Sequence, residues 1–292
     1  MLSFFLFSFF YSTYSQEMKV EYKNPFGFIK FESKNESRIF LRASYRGEPF
    51  EMIIDSYAFF SSLPEEWAVK KWGFKKTPYI NTTTDINNKR TKAKLRLMDT
   101  LEVANNFLAT QFYINPKKEF NRYQIGILAT DFLNDLNWKI DFRNGVLFFD
   151  TASYDLTSIQ IKNEFNKNAF PYLTAKIVDI EAKLVVDLGA KEEISIPADS
   201  ELGKRLISFH NLSPAKVISS GANSYRKVDY QYRVLLDSIY IENQIIRNVN
   251  VRLSTNTKVS YIGCNLLKRG TLYLNYLNRG KSNSQVGFDI KN

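Results

Sequence analysis

The sequence has few of the residues that carry the commonest metal-binding and nucleophilic chemistry. Its 292 residues include one cysteine, Cys264, and one histidine, His210. A single cysteine excludes an intrachain disulfide, and this pair alone excludes the usual His/Cys zinc sites. A catalytic Cys–His pair would have to combine these two residues, but Cys264 lies in an apolar run, where a buried structural thiol is the commoner outcome.

Long apolar segments are also scarce. The first fifteen residues, MLSFFLFSFFYSTYS, carry no charge and are mainly Phe, Leu and Ser, yet their apolar run is too short to span a bilayer. Although it lacks a basic start, this segment predicts a signal peptide over residues 1–16. We expect a secreted or periplasmic protein with no stable membrane insertion after the signal is removed.

The charge balance is strongly basic, with a formal net charge of +10. Such a charge is typical either of a protein that binds an anionic partner or of a protein with a Lys-rich, solvated surface. The basic residues are scattered and form no stripe with aromatic residues, which favours the second interpretation and predicts no nucleic-acid partner. An apolar share of 44% and an aromatic share of 15% indicate a substantial core of β-rich type.

The chain contains an internal duplication. The segment RIFLRASYRGEPFEMIID (38–55) corresponds to AFPYLTAKIVDIEAKLVVD (169–187), with Phe40 aligned to Tyr172 and Asp55 to Asp187, and each reads as two strands joined by a turn. Two further pairs of segments follow at similar offsets: 98–114 with 236–253, and 127–142 with 261–276. A repeat of this length predicts two lobes, spanning 17–150 and 169–292 and joined by a polar connector at 151–168.

Each lobe places an aspartate, Asp55 or Asp187, at the end of an apolar strand and before a tight turn. If the lobes pack around a pseudo-two-fold axis, the two carboxyl groups meet there. Neighbouring carboxylates cannot both ionise easily, so they share a proton and titrate as a unit. Such a pair can activate a water molecule and protonate a carbonyl oxygen, which is amide hydrolysis without a metal or a side-chain nucleophile.

These motifs resemble those of the aspartic proteases, in the range between the retropepsin-like and pepsin-like members. That family has a motif of two apolar residues, Asp, Thr/Ser, Gly and Ala/Ser in each lobe, which is matched by IIDSYA (53–58) and VVDLGA (185–190). The strand and short helix that follow later in each lobe are matched by ILATDFLNDLNWKIDF (127–142) and YIGCNLLKRGTLYLNY (261–276). The resemblance covers residues 20 to 290. It implies an all-β, bilobal, acid-protease-like fold of two duplicated, closed β-barrel-like lobes with a few short helices.

The resemblance also implies a function and a set of site residues. The protein would be a monomeric endopeptidase acting on a peptide or protein substrate without a cofactor. Its site residues would be the catalytic pair Asp55 and Asp187, the supporting turn residues Ser56, Tyr57, Leu188 and Gly189, and the flap residues Thr84, Asp85, Ser220 and Gly221.

Two departures from the family pattern bear on activity. Tyr57 replaces a glycine, so its side chain would crowd the turn or the cleft, and a positive φ there would be costly. Leu188 replaces Thr/Ser and cannot donate a hydrogen bond, which leaves Ser56 only backbone groups to bond. Two alternatives stay open: an inactive relative that keeps a peptide-binding cleft, and an exported β-rich protein without a cleft. We expect Asp131 and Asp141 to be cap or surface residues, and Asp99 and Asp237 to be turn residues.

Overall fold

The structure, a computed structural model, describes residues 19–31, 38–84, 90–166, 170–221, 224–242, 244–278 and 285–290. The predicted signal peptide at 1–16 lies outside these ranges. Among the described residues, none of the helices combines the length and apolar character needed to cross a bilayer.

The N-terminal half builds a closed barrel from two hairpins and the strands that return between them. Its strands are β1 (Lys19–Tyr22), β2 (Phe26–Lys30), β3 (Phe40–Tyr45), β4 (Glu48–Ile54), β5 (Ser62–Pro64), β6 (Lys75–Thr84), β7 (Arg90–Val103), β8 (Phe107–Lys117) and β9 (Gly126–Leu128). Strands β3, β4, β9, β5, β8 and β7 are joined in that order, and pairing of β3 with β7 closes the ring. We call this ring the N-terminal barrel.

The C-terminal half repeats the same ring. After β10 (Asn137–Asp141), β11 (Val146–Asp150) and β12 (Ile161–Asn163), its strands are β13 (Tyr172–Ile177), β14 (Ile180–Asp187), β15 (Ile194–Pro197), β16 (Ala215–Gly221), β17 (Ser224–Ile241), β18 (Gln244–Ser254) and β19 (Tyr261–Gly263), and β20 (Gly270–Leu274) and β21 (Val286–Ile290) follow. The order is β13-β14-β19-β15-β18-β17, and pairing of β13 with β17 closes this C-terminal barrel.

The two barrels therefore match strand for strand, and the prediction of an all-β fold with duplicated, barrel-like lobes and few helices is confirmed. The duplication extends to the first turn of each barrel. Arg46 and Gly47, between β3 and β4, have φ of 50° and 81°, while Val178 and Asp179, at the equivalent place between β13 and β14, have φ of 48° and 65°. Positive φ at both central residues is the geometry of tight hairpins whose twist matches that of their strands.

A third sheet joins the two halves, and we call it the bridging sheet. Its order is β12-β21-β20-β10-β11-β2, so strands from the C-terminal half lie on one side and strands from the N-terminal half on the other. The halves meet where β10 pairs antiparallel with β20, with Trp138 opposite Leu274 and Ile140 opposite Leu272. The duplication aligns Trp138 with Leu272 and Ile140 with Leu274. It therefore converts the pair Trp138–Leu274 into the pair Ile140–Leu272. A pseudo-two-fold axis therefore passes between Lys139 and Tyr273.

The expected connector at 151–168 is more than a linker, because it contains β12 and pairs with β21 in the bridging sheet. The core beneath the sheet is rich in aromatic rings. Phe107 contacts Phe132, Trp138 and Phe149 with ring centroids 4.7–5.9 Å apart, and all four side chains are at most 2% exposed. Short helices lie at Glu66–Lys71, Lys118–Arg122, Thr130–Leu133, Glu201–Phe209, Cys264–Leu267 and Tyr276–Asn278.

Candidate functional site

The predicted pair of aspartates lies at matching places in the two barrels. Asp55 directly follows β4, and its backbone N–H donates to the carbonyl of Leu128 at the end of β9, 2.9 Å away. Asp187 ends β14 and lies opposite Gly263 at the end of β19 in a parallel pairing. In each barrel a buried apolar strand thus carries the carboxyl group to the edge where a parallel neighbour also ends.

The two carboxyl groups lie close together at the interface between the barrels. A Cβ atom placed on Gly189 would lie 2.7 Å from Oδ2 of Asp55 and 3.2 Å from Oδ1 of Asp187. One point beside Gly189 is thus close to an oxygen of each carboxyl group. Two oxygens that flank a single point this closely are within reach of one bridging water molecule.

Each carboxyl group is held by the turn that follows it, in the same way in both barrels. The backbone N–H of Tyr57 donates to Oδ1 of Asp55, and that of Gly189 donates to Oδ1 of Asp187, each at 2.9 Å. The turns are then tied to the following helices, because Thr130 N donates to the carbonyl of Ala58 and Cys264 N donates to that of Ala190, at 3.0 and 2.9 Å. The duplicated motif therefore fixes both side chains through its backbone.

The charges around the pair favour a shared proton. Burial raises the pKa of Asp187 well above its usual range, and the neighbouring charge of Asp55 raises it further. Burial also raises the pKa of Asp55, but the amides of Tyr57 and Ala58 and the positive charge of Arg38 oppose that rise. The environment therefore favours Asp187 as the protonated member and Asp55 as the ionised one.

The serine beside Asp55 joins the two barrels. Its hydroxyl donates to the carbonyl oxygen of Val186 at 2.6 Å and accepts from the backbone N–H of Leu188 at 3.1 Å. Both Ser56 and Leu188 are fully buried. Ser56 thus bonds backbone groups across the interface, as expected from the leucine at 188. Because Leu188 has no hydroxyl, Ser56 alone makes the connection that a hydroxyl at each of the two equivalent positions would make symmetrically.

The φ of Tyr57 is not positive, so the cost that a positive φ would carry does not arise. Its ring instead packs edge-on against Phe170 of the other half, with centroids 4.8 Å apart. Burial raises the pKa of the Tyr57 hydroxyl, and the charges of Asp187 and Asp55 raise it further, so the side chain lies near both carboxyl groups. Crowding of the site, the other expected effect, is consistent with this position.

Glycine at position 189 is needed for space. Its φ lies outside the left-handed region, but an added Cβ would come within 2.7 Å of the Asp55 carboxyl group, closer than ordinary van der Waals contact. Any other residue at this position would displace one of the two carboxyl groups. The equivalent residue in the N-terminal barrel is Tyr57. The close approach of a bare backbone to the carboxyl groups is therefore made by the turn at Gly189 and not by the turn at Tyr57.

Several residues near the site were not singled out from the sequence. Arg38 precedes β3, and its charge acts on Asp55, Asp187 and Glu192. Glu192 forms a salt bridge with Arg252, and it accepts a hydrogen bond from the buried hydroxyl of Tyr261 at 3.3 Å. The offset of 132 residues that aligns Asp55 with Asp187 also aligns Arg38 with Phe170. Applying that offset to the residues before each strand would have identified Arg38 and Phe170 as neighbours of the site.

The predicted flap residues that the structure describes lie at the far ends of two long strand pairs. Strands β6 and β7 pair up to Thr84 opposite Arg90, and β16 and β17 pair up to Gly221 opposite Ser224. Thr84, Ser220 and Gly221 thus lie at the ends of their strands, whereas Asp85 lies outside the described residues. Strand pairing supports the predicted hairpins as far as these residues.

Other aspartates and the cysteine have structural roles. The Asp131 carboxylate accepts from the backbone N–H and the hydroxyl of Ser61 at 2.8 and 2.7 Å, so it anchors a loop and is more than a cap or surface residue. Asp141 accepts from Asn144 in a surface turn, as expected. Cys264 is buried and donates to the carbonyl of Leu188 at 3.1 Å, as a structural thiol does.

The prediction of turn positions for Asp99 and Asp237 is wrong. Both residues lie inside long strands, β7 and β17. At each aspartate the alternation of buried and exposed side chains shifts by one residue, since the buried neighbours are Met98 and Leu101 in β7 and Leu236 and Ile239 in β17. The exposed carboxylate of Asp99 instead pairs with Arg46 of the neighbouring hairpin at 2.9 Å.

Among the described residues, no group of three or more His, Cys, Asp or Glu side chains is placed to hold a metal ion. Neither the protein-family models nor the curated proteins give a match to this chain.

Proposed function

We propose that the protein is an aspartic-type endopeptidase, with Asp55 and Asp187 as its catalytic residues. The observation that carries this proposal is the approach of two carboxyl groups, from duplicated strand ends, to within 2.7 and 3.2 Å of one point beside Gly189. The equal 2.9 Å bonds from Tyr57 N and Gly189 N add a matched backbone cradle. The resemblance to the aspartic proteases seen in the motifs points to the same chemistry.

In this mechanism a water molecule lies between the two carboxyl groups. Ionised Asp55 takes a proton from the water as its oxygen attacks the carbonyl carbon of the substrate, and protonated Asp187 gives its proton to the carbonyl oxygen. The tetrahedral intermediate then collapses as its C–N bond breaks. The departing nitrogen receives the proton held by Asp55, one hydroxyl of the intermediate returns its proton to Asp187, and the pair regains its starting state.

The assignment of acid and base follows from the charges. Asp55 has the charge of Arg38 to favour its ionised form, whereas Asp187 has the charges of Asp55 and Glu192 to disfavour ionisation. Activity then requires one proton on the pair. We expect a bell-shaped dependence on pH, with loss on the alkaline side as Asp187 ionises and on the acid side as Asp55 becomes protonated.

A second candidate is a non-catalytic protein that binds extended peptides between the barrels. Leu188 and Tyr57 favour it, since the interface hydroxyl is single and an aromatic ring lies near the carboxyl groups. The third alternative, a protein without a cleft, is less favoured because both carboxyl groups approach one point beside Gly189. Secretion or a periplasmic location, a monomeric state and a peptide or protein substrate remain predictions.

Cleavage of a mixed-sequence peptide library from acidic to neutral pH tests the proposal. We expect Asp55→Asn and Asp187→Asn each to lower the rate by at least about 10³-fold, since each removes one partner in proton transfer. Asp179→Asn, in an exposed turn whose φ of 65° also suits asparagine, is the matched control. A folded wild-type protein that binds but never cleaves peptides would assign the second candidate instead.

A further inference from the structure

Arg38 and Phe170 occupy equivalent positions beside the two aspartates in the duplicated chain. The residue after Arg38 is Ile39, whose carbonyl accepts a hydrogen bond from Ile54 N at 3.1 Å, next to Asp55. The residue after Phe170 is Pro171, whose carbonyl accepts from Val186 N at 2.8 Å, next to Asp187. The same backbone frame thus places a cation on one side of the site and an aromatic ring on the other.

The Phe170 side is apolar. Phe170 contacts the rings of Tyr57 and Phe59 across the barrel interface, with centroids 4.8 and 4.5 Å apart. Phe170 itself is buried, whereas Phe59 remains 40% exposed. This cluster therefore offers ring surface to an approaching apolar side chain.

The Arg38 side is charged at the corresponding places. Gly189 and Lys191 stand where the other side has Tyr57 and Phe59, and the charges of Arg38 and Lys191 act on each other. Glu192 is also present, but it is held in a salt bridge with Arg252. With Glu192 paired to Arg252, the charges of Arg38 and Lys191 outweigh the single negative charge of ionised Asp55 and leave this side positive, and Lys191 is exposed.

We propose that the cleft has a polarity: it accepts an acidic side chain of the substrate near Arg38 and Lys191, and an aromatic or large apolar side chain near Tyr57, Phe59 and Phe170. The proposal rests on the function proposed above, since both require a peptide between the barrels. It identifies the substrates as peptides with an acidic residue and an aromatic residue on opposite sides of the cleavage point.

Peptide pools that differ only by Glu, Ala or Lys at one position test this inference. Cleavage is measured with the wild type, and binding with Asp187→Asn by fluorescence anisotropy. At one position we expect a preference of about five- to tenfold for Glu over Lys at low salt, decreasing as salt is added. Lys191→Glu should reverse that preference and Arg38→Gln should weaken it, whereas Lys204→Glu, the same charge change on an exposed helix residue, should leave it unchanged.

A second set of pools varies aromatic against small residues. Phe59→Ala should reduce the aromatic preference and leave the preference for Glu intact. Peptides that are cleaved or bound without any preference for Glu, or with one that neither Lys191→Glu nor Arg38→Gln changes, would overturn the polarity and leave the proposed function standing. Pools that are neither cleaved nor bound would overturn both.

Discussion

The hydroxyl of Ser56 in the N-terminal barrel donates to the carbonyl of Val186 in the C-terminal barrel at 2.6 Å, and it accepts from Leu188 N at 3.1 Å. These bonds lie directly beside both aspartates, so the contact that joins the barrels also sets the distance between the two carboxyl groups. Stability of the interface and geometry of the site are therefore coupled through one side chain.

Ser56→Ala should lower both stability and activity. It removes the partner of two backbone groups in a fully buried place, where each lost partner costs about 1–3 kcal/mol, so we expect a loss of about 2–4 kcal/mol in the free energy of unfolding. Denaturant unfolding measures this, with Ser158→Ala, an exposed serine, as the control. Equal stability of the two variants would contradict the role given to Ser56.

Gly189→Ala should act on the site far more than on the fold. The added Cβ would meet the Asp55 carboxyl group at 2.7 Å and displace it, and a shift of about 1 Å in a catalytic group can cost about 10²-fold in rate. We expect a similar loss in peptide cleavage, with unfolding transitions close to wild type. Unchanged cleavage would show that the carboxyl groups tolerate a wider separation than the mechanism requires.

Tyr57 offers a pair of variants that separate its ring from its hydroxyl. Tyr57→Phe keeps the ring contact with Phe170 and should unfold like wild type. Tyr57→Gly removes a partly buried ring and should cost about 1–3 kcal/mol, while it opens space beside the aspartates for larger substrate side chains. Thermal unfolding and cleavage of peptides of graded size check both effects. A Phe variant as unstable as the Gly variant would assign the stabilisation to the hydroxyl.

Stability should fall as pH rises from acidic to neutral. Burial raises the pKa of Asp131 to about 7, and that of Asp187 is also raised. A carboxyl group with a higher pKa in the folded state binds its proton more tightly there. The free energy of unfolding therefore decreases between the unfolded pKa, about 4, and the folded one.

Asp131→Asn should reduce this slope over the range from about pH 4 to 7, as measured by denaturant unfolding at several pH values. The slope, rather than the stability at one pH, is the quantity to compare, because asparagine also disturbs the bonds to Ser61. Asp179→Asn should keep the wild-type slope. A slope unchanged by Asp131→Asn would show that this carboxyl group ionises as readily in the folded chain as in the unfolded one.

The sequence predicts much of this arrangement because duplication doubles each signal. Asp55 and Asp187 are ordinary as single residues, yet their equal placement after apolar strands predicts a pair, and the hairpins around Arg46 and Asp179 follow from alternation and turn residues. The pairing of β4 with β9 and of β14 with β19 joins strands that are far apart in the chain. Only the resemblance of the later motifs to those of the aspartic proteases allows these pairings to be predicted from the sequence.

Other features depend on the packed structure. Arg38 and Phe170 have no shared chemistry, so comparing residue types does not relate them, although their place in the duplication does. The anchoring of Ser61 by Asp131 needs the close approach of residues 70 positions apart. Aspartate favours turns, which is why the sequence predicts a turn at Asp99, but pairing with a neighbouring strand outweighs that local preference.

The symmetric junction of β10 with β20 has a consequence for the order in which the chain is made. Strands β2, β10 and β11 are complete long before β20 and β21 are synthesised, so the first half presents β10 as an open edge until the second half arrives. Because Trp138–Leu274 and Ile140–Leu272 are related by the pseudo-two-fold axis, a second nascent first half offers that edge a partner in the same register. Covalent linkage of the halves gives the correct partner a high local concentration and protects the growing chain from joining with its neighbours.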